Sequence, residues 1–382
     1  MGQAHEFSIG EVPAPSDKMD AFISQLSYPS FVLSLIIGIP SVILYTIECG
    51  IFLVHRQKFG TAFFRLFIAR FVCNFLNYFS SFLYARFGRV GLFIGFMESL
   101  PPLLLAIGFF FNYYSFHADN LSTAFILLNR LTLILFPTTH VKIWKYALPV
   151  SIVLIFLSPL PFLYETLGYD FYVRRQSDNW TYTLDYHKEE GKVYVRSVYL
   201  CAISAIFFCG ICGALNILTI FFYRRNNRMI ATKANSQRRQ EHKIEAKLTV
   251  YAFYTFLAQL GIAVYMLLMY FSSNTPASAN LFLATFNQHG LVVDVCTIVI
   301  PAWVLLWASP IVRREIVQVL KFCTCFCTKA NANSTPTIAL NGRQSEGHPP
   351  SKIHTTKTVS LKKVQTTRLF DVSNKKRAVS ST

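Results

Sequence analysis

The stretch Leu100–Pro137, LPPLLLAIGFFFNYYSFHADNLSTAFILLNRLTLILFP, decides the fold. Pro101 and Pro102 suit the first turn of a helix, where no amide partner is needed, and Pro137 stops one. Between the prolines the one residue that weakens a helix is Gly108. About 35 residues at 1.5 Å each give roughly 52 Å of helix, longer than the roughly 40 to 45 Å of a bilayer with its headgroups. Such a helix tilts, projects, or both. Asn112, Asp119 and Arg130 are 7 and 11 residues apart. At about 100° per residue both intervals return to within about 20° of one face. An ionisable group facing lipid costs about 2.5 to 3.5 kcal/mol at a helix centre, so this polar stripe should face other helices or water.

Composition points the same way. Of 382 residues 53% are hydrophobic, 15% aromatic and only 14% charged, against about 25% charged in a soluble domain. Seven long apolar segments can be drawn, roughly 30–54, 63–85, 102–136, 146–167, 197–222, 249–271 and 283–307. Val90–Met97 is too short to span, since a crossing needs about 20 residues; it reads as an interfacial or loop segment. The expected fold is therefore all-α, a seven-transmembrane-helix bundle, although splitting the third helix at His117–Asn120 would make eight.

Charge bias favours seven, with the N-terminus outside. The inner loops then hold Arg56 and Lys58, next Lys142 and Lys145, next the strongly basic Arg224–Lys247 loop, and finally the basic tail. The outer segments hold Lys18, Arg86 and Arg89, and a charge-balanced Gly168–Arg196 loop. Lysine and arginine favour the cytoplasmic side. The chain divides into an extracellular segment 1–29, a helical domain 30–308, a juxtamembrane helix with a cysteine cluster at 309–327, and a basic, disordered, Ser/Thr-rich cytoplasmic tail at 328–382. The net charge of +17 follows from positive-inside bias and attraction to anionic inner-leaflet lipid. No basic aromatic groove or readable motif speaks for nucleic acid.

Several residues carry chemistry. On the second helix Arg65 can snorkel to the inner headgroups. Arg70 lies deeper and could pair with Asp119, or with Asp294 of the seventh helix, in a buried charge cluster. Asn179-Trp180-Thr181 is a glycosylation acceptor in the second outer loop, whereas Asn120-Leu121-Ser122 lies inside the third helix and matches by chance. Of nine cysteines, six lie in helices as small hydrophobes, and Cys209-Gly210-Ile211-Cys212 has no further ligands to make a metal site. Cys323, Cys325 and Cys327 follow the amphipathic run SPIVRREIVQVLKF and are placed for palmitoylation. No zinc-protease motif, serine elbow or carboxylate pair marks an enzyme, and no cofactor or metal is expected.

Seven helices, a basic third inner loop and a juxtamembrane helix outline a G-protein-coupled receptor. Asn129-Arg130-Leu131 followed by Pro137 resembles the Asp/Glu-Arg-Tyr motif of rhodopsin-type receptors, with the arginine and the later proline at matching separation. The stretch LLNRLTLILFPTTHVKIWKY resembles nematode serpentine chemoreceptors, closest to the class gamma family (Srg). That resemblance implies a plasma-membrane receptor, in sensory cilia of neurons, that signals to a heterotrimeric G protein through Asn129, Arg130 and Leu131. A small-molecule ligand would enter between the helices near Asn112, Tyr113, Ser115 and Phe116 of the third helix and Asn287, Gln288 and His289 of the seventh, where aromatic surface meets a few polar groups. Ile300-Pro301-Ala302-Trp303-Val304 departs from the Asn-Pro-x-x-Tyr pattern of rhodopsin-type receptors, the sixth helix lacks a proline, and no outer loop carries a cysteine. Asn129 in place of an acid also removes the usual neighbour of Arg130. A transporter or channel using Arg70, Asp119 and Asp294 is the rival reading, opposed by the lack of an inverted repeat.

Overall fold

Hydrocarbon offers no water to unpaired backbone groups, so each apolar segment closes its hydrogen bonds within itself as a helix. The structure, a computed structural model, describes residues 17–175, 181–187, 197–230, 236–274, 279–319 and 321. Helix α1 (Asp17–Val54) leads to α2 (Ala62–Ser81), which continues through a π turn (Phe82–Arg86) into α3 (Phe87–Arg89). The short α4 (Ile94–Ser99) precedes α5 (Pro102–Leu135), the helix of the opening stretch. Then come α6 (His140–Leu157), α7 (Leu160–Leu163), a 3-10 turn (Tyr164–Gly168), and a hairpin of β1 (Phe171–Arg175) and β2 (Tyr182–Tyr186). After α8 (Ser197–Ile230) and α9 (Ser236–Asn274), the last crossing is built from α10 (Ala279–Asn287), α11 (His289–Asp294), a π turn (Val295–Val299) and α12 (Ile300–Ala308). One further helix, α13, covers 310–319.

Among the described residues six spans are long and apolar enough to cross a membrane: Tyr28–Val54, Ala62–Ser81, His140–Gly168, Tyr199–Arg225, Lys247–Ser272 and His289–Ala308. The protein is a multi-pass membrane protein. Helix α5 is the seventh long helix, and it occupies the middle. It packs against α2, α6, α8 and α9, and 20 of its 34 residues are buried. The polar groups that reduce its hydropathy are therefore taken up by protein.

The largest core cluster runs through Tyr45, Phe52, Phe63, Leu66 and Phe67, with Ile126 and Leu305 opposite. Its rings meet edge-on or tilted, for example Tyr45 against Phe67 at 4.9 Å between centroids, the geometry their quadrupoles favour. Helix α13 is tied to the turn between α1 and α2: Lys58 Nζ lies 2.9 Å and His55 Nε2 3.6 Å from the Glu315 carboxylate, while Val312 and Ile316 are buried in that core.

Three features differ from the sequence expectation. Helix α1 starts at Asp17 rather than at residue 30, and the second crossing runs on to Arg89 rather than ending near 85. The basic third inner loop is helical from both sides, up to Ile230 and again from Ser236, because Arg, Lys, Gln and Glu are good helix formers once the chain leaves hydrocarbon.

The long loop after the 3-10 turn forms the β1–β2 hairpin, antiparallel with Phe171 opposite Tyr186 and Val173 opposite Leu184. Phe171, Tyr182 and Leu184 bury one face against Met97, Leu105 and Phe109. The Tyr182 hydroxyl donates to the Leu92 carbonyl at 2.7 Å, and Arg175 donates to both oxygens of Glu98 at 2.7 and 2.9 Å. Those hydrogen bonds, with the charge of Arg175, hold the Glu98 carboxyl below its ordinary pKa. The hairpin crosses so close over α3 that a Cβ on Gly88 would collide with the Tyr182 carbonyl. Gly88→Ala is expected to lift the hairpin: hydrogen exchange at 171–175 and 182–186 should rise while helix content stays constant. Unchanged exchange there would count against the docking.

Candidate functional site

Helix α2 presents one face inward, because Phe63, Arg70, Asn74 and Asn77 follow one another at 7, 4 and 3 residues, the repeat of a helix face. Phe63 and Arg70 both engage α5, and Asn74 engages the last crossing. Arg70, 1% exposed, donates to both carboxylate oxygens of Asp119 on α5, at 2.7 and 3.2 Å. Fork-on-fork pairing satisfies two lone pairs and two protons at once, which a buried ion pair requires.

Asp294, the third member of the expected cluster, stands elsewhere. Arg86 of the π turn donates to its two oxygens at 2.7 and 2.5 Å, and both residues are buried. The correction is physical: the second crossing extends past 85, so Arg86, assigned from sequence to an outer loop, stays inside the protein and meets the acid first. Its guanidinium also lies over Tyr78 and Phe82, at 4.9 and 4.5 Å from their centroids. Helix α1 closes over this pair at Gly38, where an added Cβ would lie 3.0 Å from the Tyr78 hydroxyl and 3.3 Å from Asp294 Oδ2. Two separate bidentate pairs therefore replace one shared cluster. A single ion or proton path through Arg70, Asp119 and Asp294 would need the three to adjoin.

Asn74 does something the sequence reading missed. Pro301 has no amide hydrogen, so the carbonyl four residues before it, on Thr297, loses its helical partner. The Asn74 side-chain amide donates to that carbonyl at 2.7 Å. The signal was available: a helix-interior proline asks for a donor from a neighbour. The π turn Val295–Val299 lies just ahead of this proline, the local adjustment that accommodates such a break.

The outer-end residues proposed for ligand contact divide into groups. Phe116 packs with Cys201, Tyr265, Met266 and Cys296, with Tyr113 and Phe286 against the same cluster. His289 Nδ1 lies 3.1 Å from the Tyr265 hydroxyl, so His289 belongs to this side. Gln288 instead faces α1 and accepts from the Ser30 hydroxyl at 2.6 Å. Asn287 lines a small cavity of ≈ 20 Å³ with Ser30, Ser34, Arg86, Arg89 and Gly290, enough for about one water molecule. Asn112 and Ser115 are buried on α5, and among the described residues neither Asn112 Oδ1 nor Ser115 Oγ has a hydrogen-bond partner. Among the described residues the seven thus face different neighbours.

At the inner end Asn129, Arg130 and Leu131 are all buried. Asn129 Nδ2 lies 3.2 Å from His140 Nε2, and Trp144 donates to Thr132 at 2.8 Å, which fastens α6 back onto α5 across the Pro137 turn. The Arg130 guanidinium carbon sits 3.8 Å from the centroid of the Phe63 ring, a cation–π contact that such burial strengthens. Higher up, Gln259 of α9 donates to Asn120 at 3.0 Å. That contact explains why Asn120, despite its acceptor tripeptide, is a helix-packing residue. Asn179, Cys323, Cys325 and Cys327 lie outside the described residues. Among the described residues no group of three His, Cys, Asp or Glu is placed to hold a metal.

The model of a family described as Srg family chemoreceptor matches residues 31–316, the whole bundle from α1 into α13. No match was found among the curated proteins compared with the chain.

Removing one partner of a buried pair strands the other charge and costs about 3 to 5 kcal/mol, whereas removing both costs far less. Arg70→Met and Asp119→Leu are each expected to lower the melting temperature sharply in detergent, and the double substitution to recover most of the loss. Additive losses in the double variant would show that the two do not interact.

Proposed function

The chain belongs to the Srg chemoreceptor family, and from that premise we propose that it is a G-protein-coupled receptor for a small-molecule cue. It crosses the plasma membrane seven times, α5 being the third crossing, with its N-terminus outside. Sensory cilia of nematode neurons are its proposed place. The observation that carries this reading is the family match across the full bundle, residues 31–316. Asn179 is the proposed glycan site, and Cys323, Cys325 and Cys327 are the proposed palmitoyl sites. A ligand acts by preferring one of two arrangements of the helices. It engages the outer half of α5 together with α10 and α11, where Tyr113, Phe116, Phe286 and His289 supply apolar surface with a polar tip.

Arg130 marks the other end of the proposed coupling. In the arrangement described it is 6% exposed and stacked on Phe63, so a G protein cannot reach it. Activation would draw the inner ends of the helices apart and release Arg130 to the partner. With Asn129 beside it in place of an acid, the aromatic face of Phe63 takes the part of the missing ionic latch.

Nucleotide exchange by a G protein in membranes bearing the intact chain, with a panel of volatile and water-soluble cues, tests this. Exchange should depend on a cue and vanish in Arg130→Ala. Phe63→Leu should raise cue-independent exchange several-fold, since a desolvated cation–π contact is worth about 2 kcal/mol. Cue-dependent exchange that survives Arg130→Ala would refute the coupling role, and ion conductance without exchange would favour a transporter.

A further inference from the structure

The inner end of α1, the turn after it, α2 and α6 enclose a second and much larger cavity, of ≈ 390 Å³. That volume falls within the about 300 to 1,000 Å³ of ordinary ligand sites. Its walls are apolar, made by Leu53, Phe59, Ile68 and Ile152, and Leu53 is 46% exposed, so the groove opens sideways towards lipid. Two cations line it as well, Arg56 and Arg65, both exposed. Arg56 Nε donates to the Leu53 carbonyl at 3.1 Å. Neither arginine forms an ion pair among the described residues. The nearby carboxylate of Glu315 is engaged by Lys58 and His55.

We propose that this groove holds one anionic phospholipid, its acyl chain along Ile68 and Ile152 and its phosphate and headgroup charge on Arg56 and Arg65. A soluble anion would leave the apolar wall wet, and a sterol would leave both guanidinium groups unanswered. An anionic lipid satisfies both demands at the level where headgroup meets hydrocarbon, and arginine is the side chain suited to a phosphate fork. The inference rests on the membrane setting and not on the receptor reading, so it stands or falls separately from any signalling result.

The test uses the full-length protein in phosphatidylcholine nanodiscs, with photoactivatable phosphatidylserine and phosphatidylcholine carrying the reactive group on the acyl chain. The serine lipid should label the peptides containing Ile68 and Ile152 with a roughly tenfold preference, the scale expected for two cations acting on one anionic headgroup. Arg56→Gln/Arg65→Gln should bring the two probes to parity, while Lys142→Gln/Lys145→Gln, on the exposed inner end of α6, should leave the preference intact. If the double glutamine variant does not fold, Arg65→Gln beside Arg65→Lys decides, since only the lysine should retain most of the preference. Equal labelling by both lipids in the wild type would overturn the proposal. So would a preference that survives loss of both arginines, an equal loss from the lysine variant, or competition by chainless glycerophosphoserine as effective as by the lipid.

Discussion

A guanidinium and a carboxylate buried in a hydrocarbon-embedded bundle are tolerable only together. Arg70 is 1% and Asp119 5% exposed, and their two hydrogen bonds join α2 and α5 near mid-bundle. Coulomb attraction is strong where the dielectric is low, yet so is the penalty for desolvating each charge, and the outcome depends on geometry. Here the fork is matched by a carboxylate that accepts at both oxygens. The pair fixes the rotation of α2 and of α5 about their own axes, since turning either helix would expose a charge to lipid.

That rotation sets the rest of the α2 face. With Arg70 turned to α5, Asn74 reaches the Thr297 carbonyl that Pro301 leaves unpaired, and Phe63 lies beneath the Arg130 guanidinium. Through the π turn the same crossing delivers Arg86 to Asp294. One helix thus bridges α5 at two depths and the last crossing at two more. A ligand that moved the outer ends of α11 and α5 would act on contacts borne by a single rigid element, and the inner contact among them is the one that buries Arg130.

Most of this architecture is legible in the sequence. Long apolar segments bounded by prolines and charges give the helices, and the 7 and 11 residue spacing of Asn112, Asp119 and Arg130 gives the inward face of α5. The partner of Asp294 was not legible. Choosing between Arg70 and Arg86 depends on where the second crossing ends, and the helix runs through a π turn that no apolar periodicity marks. In a topology with the N-terminus outside, Arg86 and Arg89 would fall where positive charge is disfavoured, and that was the available hint. The β1–β2 hairpin was hidden differently. YTLDY alternates in a strand-like way and FYVRR does not, and runs of five residues in a polar loop carry little weight until Met97, Leu105 and Phe109 supply a surface for them. Of the ligand candidates, spacing could place Asn287, Gln288 and His289 at one helix end, but it could not say that a break between α10 and α11 would turn Gln288 to α1 and His289 to Tyr265.

The account turns on α5 being a crossing even though it falls outside the six spans that length and hydropathy mark among the described residues. Its two ends should then lie on opposite sides of the membrane. Leu92→Cys and Thr138→Cys, each made in a chain whose native cysteines are replaced by alanine, can be probed with an impermeant maleimide on intact and on permeabilised cells. The account predicts that residue 92 reacts on intact cells and residue 138 only after permeabilisation. Reaction of both positions on the same side would contradict it.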